Sequence, residues 1–340
     1  MKLPGEELLC KMWQSLADGG IGSLASPWKI RREGKAHLDV RRHELLVLAQ
    51  TEADIEAIKK GTKQLLPDGS LIDLQESTDG AFNTNSLVDI RREPTLTLSA
   101  LTDTSQAKRL LRETKEEINT NKIIITAEQE LVGHNAEPTS EVEQDWLSRW
   151  HDAAKQVSSE ELQRLWAKAL AGEVSAPGAY SLRTLDFLKN LSIHEAKQIA
   201  NLAPFVINGS LHKTSLLESN RINFGFLLEM EDLGIVSGIK GGGLTLTMRS
   251  FTDSSYLNYI LHDGKIIIAA HNDPEKKITL ECYKITSIGK EVLTLGNFLP
   301  NPEHFRELAL NIKNQDFNVQ IADATVAADG SVSYVNAIEV

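Results

Sequence analysis

Cysteine is almost missing from this 340-residue chain: Cys10 and Cys282 are the whole supply. Two thiols so far apart make neither a disulfide framework nor a zinc ligand set, and they suit a reducing cytoplasm. Long apolar runs are missing too. No stretch of 18 apolar residues occurs, which excludes a single spanning helix. The opening MKLPGEELLCKMW lacks the unbroken apolar core of a secretion signal. Basic residues are in deficit, with 36 Lys and Arg against 47 Asp and Glu and a formal net charge of −11. A general nucleic-acid binder is usually basic, so any such contact must come from a local patch. Catalytic signatures are absent: there is no His-Glu-x-x-His, Cys-x-x-Cys, Gly-x-Ser-x-Gly, kinase or dinucleotide pattern. The segment GGIGS lacks the Lys of a phosphate loop. The sequence therefore predicts no catalytic residue, no metal and no cofactor.

What is present is patterned helix. Trp146, Trp150, Ala153, Ala154 and Val157 recur at helical spacing, so one helix face is apolar. Ser158 and Glu161 have the spacing of a capping box opening a second helix. Its buried face is expected to hold Leu162, Leu165, Trp166, Ala169 and Leu170. Gly172 is expected to end it, because glycine tolerates the left-handed conformation past a helix end. Pro177-Gly178 is a turn. A third helix carries Leu182, Leu185, Leu188 and Leu191. Ser192 and Glu195 form a second box before Ile193, Ala196, Ile199 and Ala203. Residues 141–203 thus read as a compact four-helix block. Trp146, Trp150, Leu162, Leu165, Trp166, Leu185 and Leu188 are its expected core.

This block carries a resemblance. Residues 145–192, DWLSRWHDAAKQVSSEELQRLWAKALAGEVSAPGAYSLRTLDFLKNLS, look like the signature of an uncharacterised bacterial family, domain of unknown function 2806. The likeness extends more loosely over residues 20–60 and 205–295. Residues 158–173, SSEELQRLWAKALAGE, also resemble more weakly a helix of Abi-alpha-like proteins, which are linked to abortive phage infection. The motif is structural, so it implies kinship and a role in phage defence without supplying catalytic residues.

Residues 1–66 read as an N-terminal long-helix region. Glu6–Ala17 forms a short helix, Asp18–Trp28 breaks it, and a long helix starts near Pro27. Its first half is basic through Lys29, Arg31, Arg32, Lys35, Arg41 and Arg42. Three uses compete. A long helix with an apolar stripe finds a partner, which predicts a homo-oligomer. Trp13, Ile21, Leu24 and Trp28 beside Lys29, Arg31 and Arg32 suit peripheral contact with a membrane. The arginine pairs could instead meet a nucleic-acid backbone. The first reading is preferred.

Residues 67–140 read as an insertion and a connecting helix. PDGS, STDG and FNTNS are turn formers, with one small hairpin between LIDL and TLTLS. A helix follows from Leu101 to Leu131, although the Ile123-Ile124-Ile125 run is β-branched. Residues 204–296 give a helix over 222–233 capped by Gly234, then two strands around a Lys240–Gly243 tip. A hairpin turns at Asp263-Gly264, and a last strand enters a helix. This order resembles a winged-helix module. Its candidate recognition helix carries Glu229, Glu231 and Asp232, which repel phosphate, so protein contact is favoured over DNA. Residues 297–340 read as a helix with Phe305, Leu308, Ala309 and Ile312 inward, then a hairpin.

The expected fold is α+β, mainly helical in its N-terminal and central regions, with a winged-helix-like α/β region at the C-terminal end. The expected function is a non-enzymatic, cytoplasmic interaction protein that self-assembles through its N-terminal helices and meets a protein partner. One rival is a winged-helix nucleic-acid regulator. The other is a metal-dependent hydrolase using His262, Asp263, His271 and Asp273. Each of those aspartates is already explained by its own turn.

Overall fold

A computed structural model of the chain describes residues 6–21, 37–65, 71–73, 98–132, 140–327 and 329–340. The fold is α+β, and its contacts divide into two compact units, residues 1–180 and 181–340.

The first unit is built from α1 (Glu6–Asp18), α2 (His37–Lys59), the short strands β1 (Lys63–Leu65) and β2 (Leu71–Asp73), α3 (Leu98–Leu131), α4 (Gln144–Ala154) and α5 (Glu160–Ser175). Leu8, Met12 and Leu16 repeat every four residues and are fully buried, so α1 lays one stripe against α3 and α5. Trp13 and Ile21 are buried as well. Two of the four apolar residues offered to a lipid surface are therefore spent inside the unit; Leu24 and Trp28 lie outside the described residues. β2 pairs with β1, not with the TLTLS segment, whose Leu98 and Ser99 open α3 instead.

α3 is 34 residues long, about 50 Å at 1.5 Å per residue. Ile123, Ile124 and Ile125 sit within it, and all three are buried. Helix propensity charges a β-branched residue a few tenths of a kcal/mol, whereas burying its side chain returns roughly 1.5–3. Burial on several sides of α3 decides the outcome. Ser105, Gln106, Lys108, Arg109 and Leu110, farther up the helix, are exposed and have no such cover.

α4 and α5 hold three of the five tryptophans. Trp146 donates its indole N–H to the Tyr180 carbonyl at 2.8 Å, and Trp150 donates to the Trp166 carbonyl at 3.0 Å. Three expectations are corrected here. α5 is capped by Ser159, without a side-chain bond, so the Ser158–Glu161 box does not form. Leu162 and Leu165 are half-buried; the covered face is Gln163, Trp166, Ala167, Leu170 and Val174. Gly172 does not end the helix, which continues to Ser175.

Gly172 is there for contact: a Cβ at that position would lie 2.5 Å from Cε2 of Tyr180. Glu173 fastens the same turn by accepting from the Gly178 and Tyr180 N–H groups at 2.6 and 3.0 Å. Gly172→Ala should therefore destabilise the first unit by roughly 1–3 kcal/mol despite the better helix propensity of alanine. Urea denaturation would check this, and a stabilised variant would refute it.

Polar side chains also enter this core. Asn119 of α3 is buried and donates to the Lys155 carbonyl at 2.9 Å. Gln163 of α5 is buried and donates to the Val157 carbonyl at 2.8 Å and to Asn119 Oδ1 at 3.3 Å. Together they hold the α4–α5 loop.

The second unit opens with α6 (Leu182–Asn190) and α7 (Ile193–Leu202). Ser192 and Glu195 form the expected reciprocal box. The four helices read as one block thus contribute to two units: α4 and α5 to the first, α6 and α7 to the second. The Pro177-Gly178 turn lies just before the division.

A 3-10 turn (Ala203–Phe205) leads to β3 (Val206–Ile207), β4 (Ser210–His212), α8 (Ser215–Ser219), α9 (Phe224–Asp232), β5 (Val236–Ser237), β6 (Leu244–Met248), β7 (Tyr256–His262), β8 (Lys265–His271) and β9 (Ile278–Ile285). Then come α10 (Ser287–Thr294), α11 (Pro302–Lys313), β10 (Asn318–Val326) and β11 (Val332–Glu339). One sheet runs β3-β4-β9, with β5 and β6 on the far edge of β9; the other runs β11-β10-β8-β7, and both are antiparallel.

β5 and β6 do not pair as a hairpin. Both pair with β9, at Ile285–Lys284 and Cys282–Ile278 respectively. They form one edge strand interrupted by the glycine loop. The Asp263-Gly264 hairpin forms as expected, both residues at positive φ. β10 joins β8, so the C-terminal hairpin extends the hairpin of residues 256–271. α11 packs on β8, β9 and β10, burying Phe305, Leu308, Ala309 and Ile312 in the main core.

Candidate functional site

Trp28, Lys29, Arg31, Arg32 and Lys35 lie outside the described residues, and Arg41 and Arg42 lie on α2. Farther along that helix, Glu52 pairs with Lys122 of α3 at 2.5 Å. Of the core set, Trp146, Trp150, Trp166, Leu185 and Leu188 are buried.

The two His-Asp pairs proposed for a metal stand apart. Tyr256 is opposite His271 and His262 is opposite Lys265, so His262 and His271 mark opposite ends of one hairpin, about 20 Å apart at 3.3 Å per residue. Asp273 accepts from the Glu275 N–H at 3.0 Å and Asp263 is in the left-handed region. Each aspartate serves its turn. Among the described residues no group of three or more His, Cys, Asp or Glu is placed to hold a metal ion.

The titratable groups that do gather lie where β4, α8 and α11 meet. His212 ends β4 and His304 sits in the first turn of α11; both are buried. His304 Nδ1 meets the Thr214 hydroxyl at 2.9 Å, and the Phe205 ring stands edge-on to the imidazole at 5.4 Å. His212 Nδ1 and His304 Nε2 lack hydrogen bonds. Burial, then the neighbouring His304, holds His212 down to about 4. Burial likewise brings His304 to about 4, against the pull of Glu307 and the Phe205 carbonyl, with His262 adding to the fall.

Glu307 accepts from the Ser215 N–H and hydroxyl at 2.8 and 2.6 Å and from the Leu216 N–H at 3.1 Å. Burial raises its carboxyl, but these donors outweigh that and leave it below the ordinary range. The cluster caps α8. Cys282, opposite His212, is buried and its thiol is pushed up, so it is not poised as a nucleophile.

The glycine loop between β5 and β6 is the second built feature. It closes through Gly243 N–H to the Gly238 carbonyl at 2.8 Å. Successive N–H groups in such a loop can cradle an anion. Here the anion is internal: Glu231 of α9 accepts from Gly238, Ile239 and Lys240 at 2.8, 2.9 and 3.2 Å. Lys213, just past β4, braces the loop by donating to the Gly242 carbonyl at 2.6 Å and to Glu281 at 2.9 Å. Gly243, at φ +98°, leaves room for that lysine, whose Cε would be 2.9 Å from an added Cβ. The roles of Glu231 and Lys213 are absent from the sequence reading. A glutamate seven residues before a glycine cluster was the available signal.

The described residues thus give an α+β protein with an internally satisfied loop and a buried histidine cluster. No helix among them is long and apolar enough to cross a membrane. Residues 104–217, from α3 into α8, match the family model described as "Protein of unknown function (DUF2806)". No curated protein matches the chain, and no solved structure does.

Proposed function

We propose that this protein acts by binding, and chiefly by binding further copies of itself, rather than by transforming a substrate. The observation that carries this reading is the apolar surface of the second unit. Phe251, Tyr334, Val335 and Ile338 are between 52 and 70% exposed, and β11 forms an open edge with no Lys, Arg or Pro along it. Proteins that stay monomeric usually blunt such edges with charge or proline. Leu46 and Val47, exposed on α2, support a contribution from the N-terminal helices.

The strand order β4-β9-β5/β6, with α8 and α9 between β4 and β5, supports a winged-helix reading of the second unit. The helix in the recognition position speaks against DNA. Glu229 binds Gln198, Glu231 holds the glycine loop, and Asp232 pairs with Lys240. Its acidic residues are built into the fold, and they repel phosphate. The setting is the one its resemblance implies, defence against phage.

Light scattering of the full chain tests the central claim: a mass above the monomer that grows with concentration is expected, and a monomer at every concentration would refute it. Retention on duplex DNA that weakens steeply with salt would favour the regulator instead. For the setting, a host expressing the chain should plate phage less efficiently than one without it, and equal plating would remove that part.

A further inference from the structure

We infer that the outer face of the sheet β11-β10-β8-β7 is the surface on which a second copy of this chain docks. The inference rests on the self-association proposed above and names its interface. Strand pairing fixes which residues share that face: Leu257, Tyr259 and Leu261 lie beside Ala270, Ile268 and Ile266, and Ile268 and Ile266 lie beside Gln320 and Ala322. Ala324 lies beside Tyr334 on the same side. Across β7, β8 and β10 the opposite face is covered by the main core, with α11 packed on β8 and β10. The outer face has a small cluster of its own, Ile266, Ala322 and Ala324, flanked by Leu261, Ile268 and Val332.

Its relief suits a copy of itself. Tyr259 and Phe251 pack with tilted rings 5.3 Å apart and stand up at one edge, and Tyr334 stands up toward the other. Between them β10 contributes Ala322 and Ala324, both more than nine-tenths buried, which leave low ground. Ridges beside a trough can interlock with the same pattern turned about a two-fold axis, as closed dimers require.

Charge selects the occupant. Among the paired residues of this face, Glu339, opposite Gln320, is the charged one. An anionic lipid surface or a nucleic acid would want cations there, and a strongly charged protein would want opposite charge. A second copy presents the same uncharged surface and asks for neither. The chain is strongly acidic, so two copies meet with least repulsion where their carboxylates are absent.

Size sets the strength. Four strands at 4.8 Å and seven residues at 3.3 Å give a footprint of about 440 Å² per copy. The pair then covers about 900 Å², below the standard size for specific interfaces. The dimer is therefore weak and reversible.

Sedimentation of the full chain over a range of concentrations tests this, comparing the native chain, a Tyr259→Lys/Tyr334→Lys variant and Leu299→Lys. Leu299 is exposed and lies between α10 and α11, off the sheet. The native chain should show reversible association, the double variant should raise the dissociation constant tenfold or more, and Leu299→Lys should leave it unchanged. Melting curves check that the variants fold; if the double variant does not, Tyr334→Lys alone takes its place. Undiminished association of the outer-face variant, or equal loss in Leu299→Lys, overturns this face while leaving self-association standing. A native chain that never associates overturns both.

Discussion

Trp150→Ala should remove about 3–5 kcal/mol from the first unit, where a typical domain is held together by only about 5–15. The indole is fully buried, and its N–H satisfies the Trp166 carbonyl. Truncation leaves a cavity between α4 and α5 and removes a buried hydrogen bond that joins the two helices. Trp150→Phe fills most of the space but not the bond, and should cost less. Urea denaturation followed by far-ultraviolet circular dichroism would rank the three chains. A loss under about 1 kcal/mol for alanine would mean that this ring is not part of the packed interior.

Acid should weaken the second unit over a defined range. His212 and His304 are held near 4 in the folded chain, against an ordinary value of 6.5. The folded value is the lower one, so the unfolded chain takes up protons first. Their contribution is complete above pH 6.5 and declines as pH falls toward 4. Below that both states are protonated and the loss levels off. At 1.36 kcal/mol per pKa unit, each histidine withdraws about 3 kcal/mol over the range. Glu307 acts lower down. Its folded value is depressed from 4.5, so its share is lost as pH falls through and below that value. Denaturation midpoints should therefore fall between pH 6.5 and 4.5, and a His212→Gln/His304→Gln variant should flatten that interval. A native profile that is already flat there would show that the two rings are solvated.

Periodicity made the helices legible, since a stripe repeating every three to four residues leaves few other ways to bury Trp146, Trp150 and Trp166. Partners in space were less legible. Gly172 carries the residue type of a helix end, and nothing local says that Tyr180 lies over it. Asn208-Gly209 is a strong hairpin signal in its own right. Strands of two and three residues leave no alternation to read on either side of it, yet it joins β3 to β4 with both residues at positive φ. The metal proposal failed for a related reason. Similar His and Asp neighbours occur twice, but one antiparallel hairpin sends them to opposite ends. The histidine cluster was illegible because its members come from β4 and α11, some 90 residues apart, with no spacing that declares them.

Asn119 and Gln163 give the first unit something that its apolar residues cannot. Leucine and isoleucine stripes pack nearly as well if one helix slides by a turn, about 5.4 Å. The amides do not permit it. Displaced by that much, Asn119 would lose both the Lys155 carbonyl and its partner on α5, and each stranded group would cost about 1–3 kcal/mol. The buried amides thus act as a key for axial alignment, and they give an otherwise permissive set of helices a single way to assemble.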